Sequence, residues 1–284
     1  QPVFSRADAI RQTVFVEVPG TDSDKDGELD RVAVEILRPK ETDQGLKVSV
    51  IMEASPYYGG LNDVPNHAVN VDENGDPLPN LRAMPNDKSA AGPFTGYLDN
   101  YFTPRGYAIA LVENLGTARA TGCPTTGDVN ETAGPKAAID WLNGWAKGFD
   151  ASGNPVAATW STGRVGMIGG SYNGTLANAV AATGVKGLQT IVPLSAVTIW
   201  YDYYRANGGV VGPGGYQGED LDIHAKAVLT RQNGQEVCGA LIDQLTASQD
   251  RVTGDYSSLW ETRNLLKDVS KVKASVFVVH GLND

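Results

Sequence analysis

Cysteine is scarce: Cys123 and Cys238 are the two in 284 residues. That number excludes a disulfide-built scaffold, and their spacing fits no zinc motif. One bridge in an oxidising compartment or two free thiols both remain open, because separation in sequence says nothing about distance in space. Basic residues are outnumbered, 23 Lys and Arg against 33 Asp and Glu, for a formal net charge of -10. An acidic surface repels phosphate backbones and disfavours nucleic acid and anionic membranes as partners. No run approaches the roughly 20 apolar residues of a membrane-spanning helix, which predicts a soluble protein. An initiator Met is also missing; Gln1 stands first, which suggests a processed precursor and predicts secretion. What is present, 41% hydrophobic residues with 33 Gly and 15 Pro, describes a folded, loop-rich chain long enough for a core without staples.

Residues 13–18 alternate apolar and polar, and after an acidic turn residues 31–37 alternate again, which predicts a β-hairpin. The runs 48–52, 107–112, 165–168, 188–192 and 274–279 are more continuously apolar, as strands covered on both faces would be. Between them, 131–145 and 172–182 carry helical spacing. The expected fold is α/β, a mostly parallel central sheet entered through an N-terminal antiparallel hairpin. Residues 61–100, rich in Asn, Asp, Pro and Gly, read as a long surface loop. Residues 201–273 carry helix-like patterns without a strong strand and read as a helical cap insertion. The division expected is therefore 1–200 as the first part of a core, 201–273 as cap, and 274–284 as the return to the sheet.

Chemistry concentrates in Arg164-Val165-Gly166-Met167-Ile168-Gly169-Gly170-Ser171-Tyr172-Asn173-Gly174. A buried strand runs through a sharp turn into a helix of small residues. Such a turn strains the serine backbone and requires small neighbours, here Gly169, Gly170 and Gly174. It presents the Ser171 hydroxyl at the end of the strand and makes the Tyr172 N–H an oxyanion donor. A plain glycine-rich turn or a phosphate cradle are the competing readings, but no P-loop lysine and no G-x-G-x-x-G is present.

With Ser55-Pro56-Tyr57-Tyr58 upstream, Ile199-Trp200-Tyr201-Asp202-Tyr203-Tyr204-Arg205 and Gly215-Tyr216-Gln217-Gly218-Glu219-Asp220 downstream, and His280-Gly281-Leu282-Asn283-Asp284 at the end, the sequence resembles the Xaa-Pro dipeptidyl-peptidase family. That family belongs to an α/β-hydrolase group that also holds cocaine esterase and α-amino-acid ester hydrolases. The resemblance implies an α/β-hydrolase fold whose C-terminal part is missing from this chain. It implies Ser171 as nucleophile, Asp284 as catalytic acid, and Tyr57 with the Tyr172 N–H as oxyanion donors, Tyr58 competing with Tyr57. Glu219 is implied as the carboxylate that meets a substrate's free amino terminus, with Asp202 and Asp220 as rivals. Trp200 and Tyr203 are implied as walls for a proline ring, with core aromatics packed behind the nucleophile helix as the lesser reading.

In this fold the triad runs Ser, acid, His. None of His67, His224 and His280 follows Asp284. A serine without a base is a poor nucleophile, so the catalytic histidine is expected from a continuation or a companion chain, and His280 is expected to be structural. The predicted activity is a serine exopeptidase releasing Xaa-Pro dipeptides from peptides with a free N-terminus, without cofactor or metal. An ester hydrolase of the same group and an inactive binding module are the alternatives.

Two further motifs receive no catalytic role. Asp22-Ser23-Asp24-Lys25-Asp26-Gly27-Glu28-Leu29-Asp30 has the first half of a calcium loop, but its twelfth position is Ala33 and strands, not helices, flank it. It reads as an acidic hairpin turn, with bound calcium as the lesser alternative. Residues 113–123 read as a glycine-rich supporting loop.

Overall fold

The computed structural model describes residues 1–70, 72–74, 76, 78, 94–205, 209–210, 217–282 and 284. The chain enters as a hairpin, β1 (Ile10–Glu17) and β2 (Arg31–Arg38), in which Val14 pairs with Val34 and Val16 with Val32. All four are fully buried, so the apolar phase of the alternation sets the register. Then follow β3 (Val48–Ser55), α1 (Asp99–Phe102), β4 (Tyr107–Glu113), α2 (Val129–Leu142), β5 (Gly148–Phe149), β6 (Ser161–Gly170), α3 (Tyr172–Ala182) and β7 (Leu188–Leu194). The helices α4 (Trp200–Tyr204), α5 (Leu221–Val228), α6 (Gly234–Ser248) and α7 (Ser258–Glu261) lie between β7 and the last strand, β8 (Ser275–Val276).

The strands form one sheet in the order β5-β1-β2-β4-β3-β6-β7-β8. Pairing is antiparallel from β5 to β4 and parallel from β4 to β8. Helices α2 and α3 pack on one face over the main core. A smaller cluster around Leu98, Ile109 and Leu111 covers the other. Helix α2 starts at Asp128, whose carboxylate accepts the Asn130 and Glu131 N–H groups, 2.9 and 3.2 Å. It stops at Leu142, short of the sequence pattern's end, because Gly144 turns to a φ of 79° and Trp145 faces solvent.

Other expectations change in detail. The loop expected over 61–100 is, in its first part, laid along α5 and its flanks: Asn62 Nδ2 donates to the Lys226 and Leu229 carbonyls, and the His67 N–H to Gly218 O. The strand expected over 274–279 keeps regular geometry only at Ser275–Val276, although Phe277 and Val279 N–H groups still bond to the Ile191 and Pro193 carbonyls of β7. Its outer edge has no strand partner among the described residues, and Phe277, Val278 and Leu282 are exposed. Cys123 and Cys238 form a disulfide, Cα–Cα 5.6 Å, joining the loop after β4 to α6.

Candidate active site

Strand β6 ends at Gly170, and Ser171 takes φ 53° and ψ −123° before α3 begins. A positive φ in a residue with a Cβ is strained. The surroundings hold it: the Ser171 N–H donates to Leu194 O at 2.8 Å, and its carbonyl accepts from the Thr175 N–H and Oγ1 at 2.9 and 3.2 Å. A Cβ on Gly169 would lie 2.6 Å from Asn173, and one on Gly174 2.7 Å from the Gly169 carbonyl oxygen. Gly170 has open space around it, so packing does not require its smallness, contrary to the sequence reading. Ser171 itself is exposed. As first residue of α3, Tyr172 carries an N–H with no carbonyl one turn back in the helix.

The Tyr172 side chain is buried, stacked on His224 of α5 at 4.7 Å and 12° and tilted against Trp200 at 5.0 Å. Its hydroxyl donates to Glu131 of α2, which also accepts the Gly127 N–H at 2.5 Å. Burial pushes the Glu131 carboxyl up and the Tyr172 phenol well up from their ordinary values. Tyr57 meets Tyr172 edge-on, centroids 6.2 Å apart, and its hydroxyl lies 3.0 Å from His224 Nε2. Tyr58 turns away: its hydroxyl donates to Glu53 of β3 at 3.0 Å, and Asn173 Nδ2 donates to the same carboxylate at 3.1 Å.

Burial lowers the pKa of His224 to about 4, so the ring is neutral near pH 7. Its Nδ1 is buried without a partner among the described residues. An unmatched ring nitrogen is less costly as an acceptor than as an N–H, which assigns the proton to Nε2 and makes His224 the donor to the Tyr57 oxygen. Neither Glu131 nor His224 was singled out from sequence. A lone Glu in the first turn of a helix and a His in an amphipathic one carry no local signal, and only the fold brings them against the tyrosines.

Strand order sets the position of Asp284. β7 separates β6 from β8, Leu194 pairs with Gly170 on one side and bridges Val279 on the other, and Asp284 lies five residues further, exposed. Ser171 thus follows β6 and Asp284 follows β8, on either side of β7. Among the described residues no histidine hydrogen-bonds to Ser171 or Asp284. His67 is 2.9 Å from Asp222, His224 is held by Tyr57 and Tyr172, and His280 is exposed.

Of the candidate substrate contacts, Trp200 is 2% exposed in the core and stacks on Tyr204, with Tyr203 edge-on at 5.9 Å and half-buried. Glu219 is buried and accepts the Tyr204 hydroxyl at 2.6 Å, and burial raises its carboxyl pKa. Asp220 is buried between Arg205 and Arg251, at 2.8 and 2.6 Å, and caps α5. Asp202 is exposed on α4. Gly215, Tyr216 and Asn283 of the quoted motifs lie outside the described residues.

Residues 26–284 match the profile described as X-Pro dipeptidyl-peptidase (S15 family). The chain belongs to that family. Within it, a Bacillus anthracis protein provisionally named an Xaa-Pro dipeptidyl-peptidase is 56% identical over 284 residues, covering 100% of this chain and 46% of the relative. The Xaa-Pro dipeptidyl-peptidase of Lactiplantibacillus plantarum is 42% identical over 319 residues, covering 100% and 39%. The chain thus spans less than half the length of these S15 relatives. Among solved structures, a CocE/NonD family hydrolase from Staphylococcus aureus superposes with a TM-score of 0.55 at 16% identity, covering 97% of this chain and 45% of that one. That likeness establishes the α/β-hydrolase fold for this S15 member.

Proposed function

We propose that this chain carries the nucleophile, the acid and the oxyanion donors of a serine exopeptidase that releases Xaa-Pro dipeptides. The carrying observation is the strained, exposed Ser171 at the β6 terminus, with the Tyr172 N–H beside it and Tyr57 against the Tyr172 ring. Ser171 Oγ attacks the prolyl carbonyl carbon while a histidine takes its proton. The tetrahedral oxyanion accepts from the Tyr172 N–H and the Tyr57 hydroxyl. Collapse breaks the C–N bond, the histidine returns the proton to the leaving amine, and water then hydrolyses the acyl-enzyme. Asp284 orients that histidine, which comes from further chain, continuous or separate. The exposed apolar edge at Val276, Phe277, Val278 and Leu282 is the surface on which such chain would pack.

Glu219 takes the substrate's α-ammonium: one carboxylate oxygen is held by Tyr204, and pairing with a cation offsets the cost of burying its charge. Asp220 is already engaged by two guanidinium groups, and solvent surrounds Asp202. Tyr203 forms the accessible wall for the proline ring, with Trp200 behind it. The disulfide supports an oxidising compartment and hence export.

The test compares Gly-Pro- and amino-acid-ester chromogenic substrates on the protein together with any chain that co-purifies. Turnover of Gly-Pro, lost when its amine is blocked and reduced on the order of 10⁶-fold in Ser171→Ala, supports the proposal. Preference for the ester would establish the ester-hydrolase reading instead. Absence of turnover and of organophosphonate labelling at Ser171 would leave a binding module.

A further inference from the structure

The loop between β1 and β2 folds back on itself so that carboxylate oxygens of Asp22, Asp24 and Asp30 lie within 4.8 Å of one another. Acidic turns are common, and proximity alone assigns nothing. What distinguishes this one is Asp24. Its side chain is 1% exposed; Oδ2 accepts from Arg231 Nη1 at 2.6 Å and from the Gly122 N–H at 3.3 Å, whereas Oδ1 is buried with no hydrogen-bond partner among the described residues. An ionised carboxylate oxygen so placed is costly unless a cation or a donor meets it.

The rest of the turn is arranged as an oxygen cage. Asp22 accepts the Asp26 and Gly27 N–H groups at 3.1 and 3.2 Å, which fixes the turn at Gly27, where φ is 91°. Asp30, 1% exposed, is held through Oδ2 by the Ser23 N–H and Oγ at 2.8 and 2.6 Å. Ser23 Oγ in turn accepts the Cys123 N–H at 2.9 Å. Three carboxylates face one another, and among the described residues a single guanidinium, that of Arg231, contacts them. The donors are all hard oxygens in an irregular set, which suits calcium better than magnesium, whose octahedral demand is strict, or zinc, which favours nitrogen and sulfur.

We propose that the β1–β2 turn binds one calcium ion through Asp22, Asp24 and Asp30. The absence of an acid at the twelfth position, which argued against calcium in the sequence, excludes the EF-hand geometry and not the ion. Ala33 is buried in β2, and Asp30, three residues earlier, returns to the cluster in its place. The ion has a structural role. It holds the hairpin turn against the Gly122–Cys123 loop and Arg231, the loop being itself tied to α6 by the disulfide. With three carboxylates and no bidentate twelfth ligand, a dissociation constant on the order of 10⁻⁴ M is expected, as in weaker extracellular calcium modules.

The purified protein, stripped with chelator, is titrated with calcium chloride by calorimetry and melted with and without about 10 mM of the ion. One equivalent of binding and a rise in Tm of about 5 °C are expected. Asp22→Asn keeps an oxygen for the turn's N–H groups at an exposed position. It should melt like the stripped wild type while losing at least about tenfold in affinity. Identical melting of the wild type in chelator and in calcium, an equal calcium shift in Asp22→Asn, or an equal shift from magnesium at the same concentration would each overturn the assignment.

Discussion

The Tyr57 hydroxyl and His224 Nε2 are hydrogen-bonded at 3.0 Å, and burial keeps that imidazole neutral near pH 7. In the oxyanion role proposed for Tyr57, removing the hydroxyl in Tyr57→Phe should lower kcat by about 10²–10³ with little change in KM, the usual effect of losing one such donor. Tyr58→Phe, whose hydroxyl serves Glu53, should leave kcat within about threefold. Steady-state kinetics on the Gly-Pro substrate distinguishes the two. His224 also makes a thermodynamic prediction. Its folded pKa of about 4 lies below the unfolded value near 6.5, so between those limits the unfolded chain binds the extra proton. Stability contributed by the neutral ring is full above pH 6.5 and is lost as pH falls, by up to about 3 kcal/mol below pH 4. Glu53, Glu131 and Glu219, all raised by burial, oppose this slope, so the comparison must be with His224→Phe. That variant should show a smaller fall in denaturation midpoint from pH 6.5 to 5.

The strand-to-helix turn could be recognised in sequence because its constraints are local: a β-run, small residues around one serine, then a helix. Gly174→Ala would drive a methyl to 2.7 Å from the Gly169 carbonyl oxygen and 3.1 Å from the Leu194 backbone. Backbone cannot yield as a side chain can, so a loss of about 1–3 kcal/mol by urea denaturation is expected, with activity reduced beyond what stability explains. Gly170→Ala, in open space, should cost far less. The apolar runs likewise marked the parallel strands, because burial on both faces leaves a continuous hydrophobic signature. What the sequence could not convey depends on distant segments meeting. Glu131 reaching Tyr172, His224 reaching Tyr57, and residues 62–67 lying along α5 are set by the sheet's order, not by spacing. The shortened β8 belongs here too: its apolar pattern was plain, but among the described residues it has one neighbouring strand, β7, and is held from that side only.

Across the whole molecule, the Cys123–Cys238 bridge ties the loop that follows β4 to the helical segment before β8. Both residues are at most 1% exposed, so mild reductant should leave the bridge intact until the protein is unfolded. The double variant Cys123→Ala with Cys238→Ala should lose about 2–4 kcal/mol in chemical denaturation, the span expected for a native disulfide closing a long loop. Such a closed loop has a further effect on any fragment the protein yields. A protease that nicks the backbone anywhere between the two cysteines produces two pieces still fastened to each other, one bearing the Ser171 turn or its partner glycines and the other the remainder. Limited digestion at such a site should therefore give one band on a gel run without thiol and two bands with it.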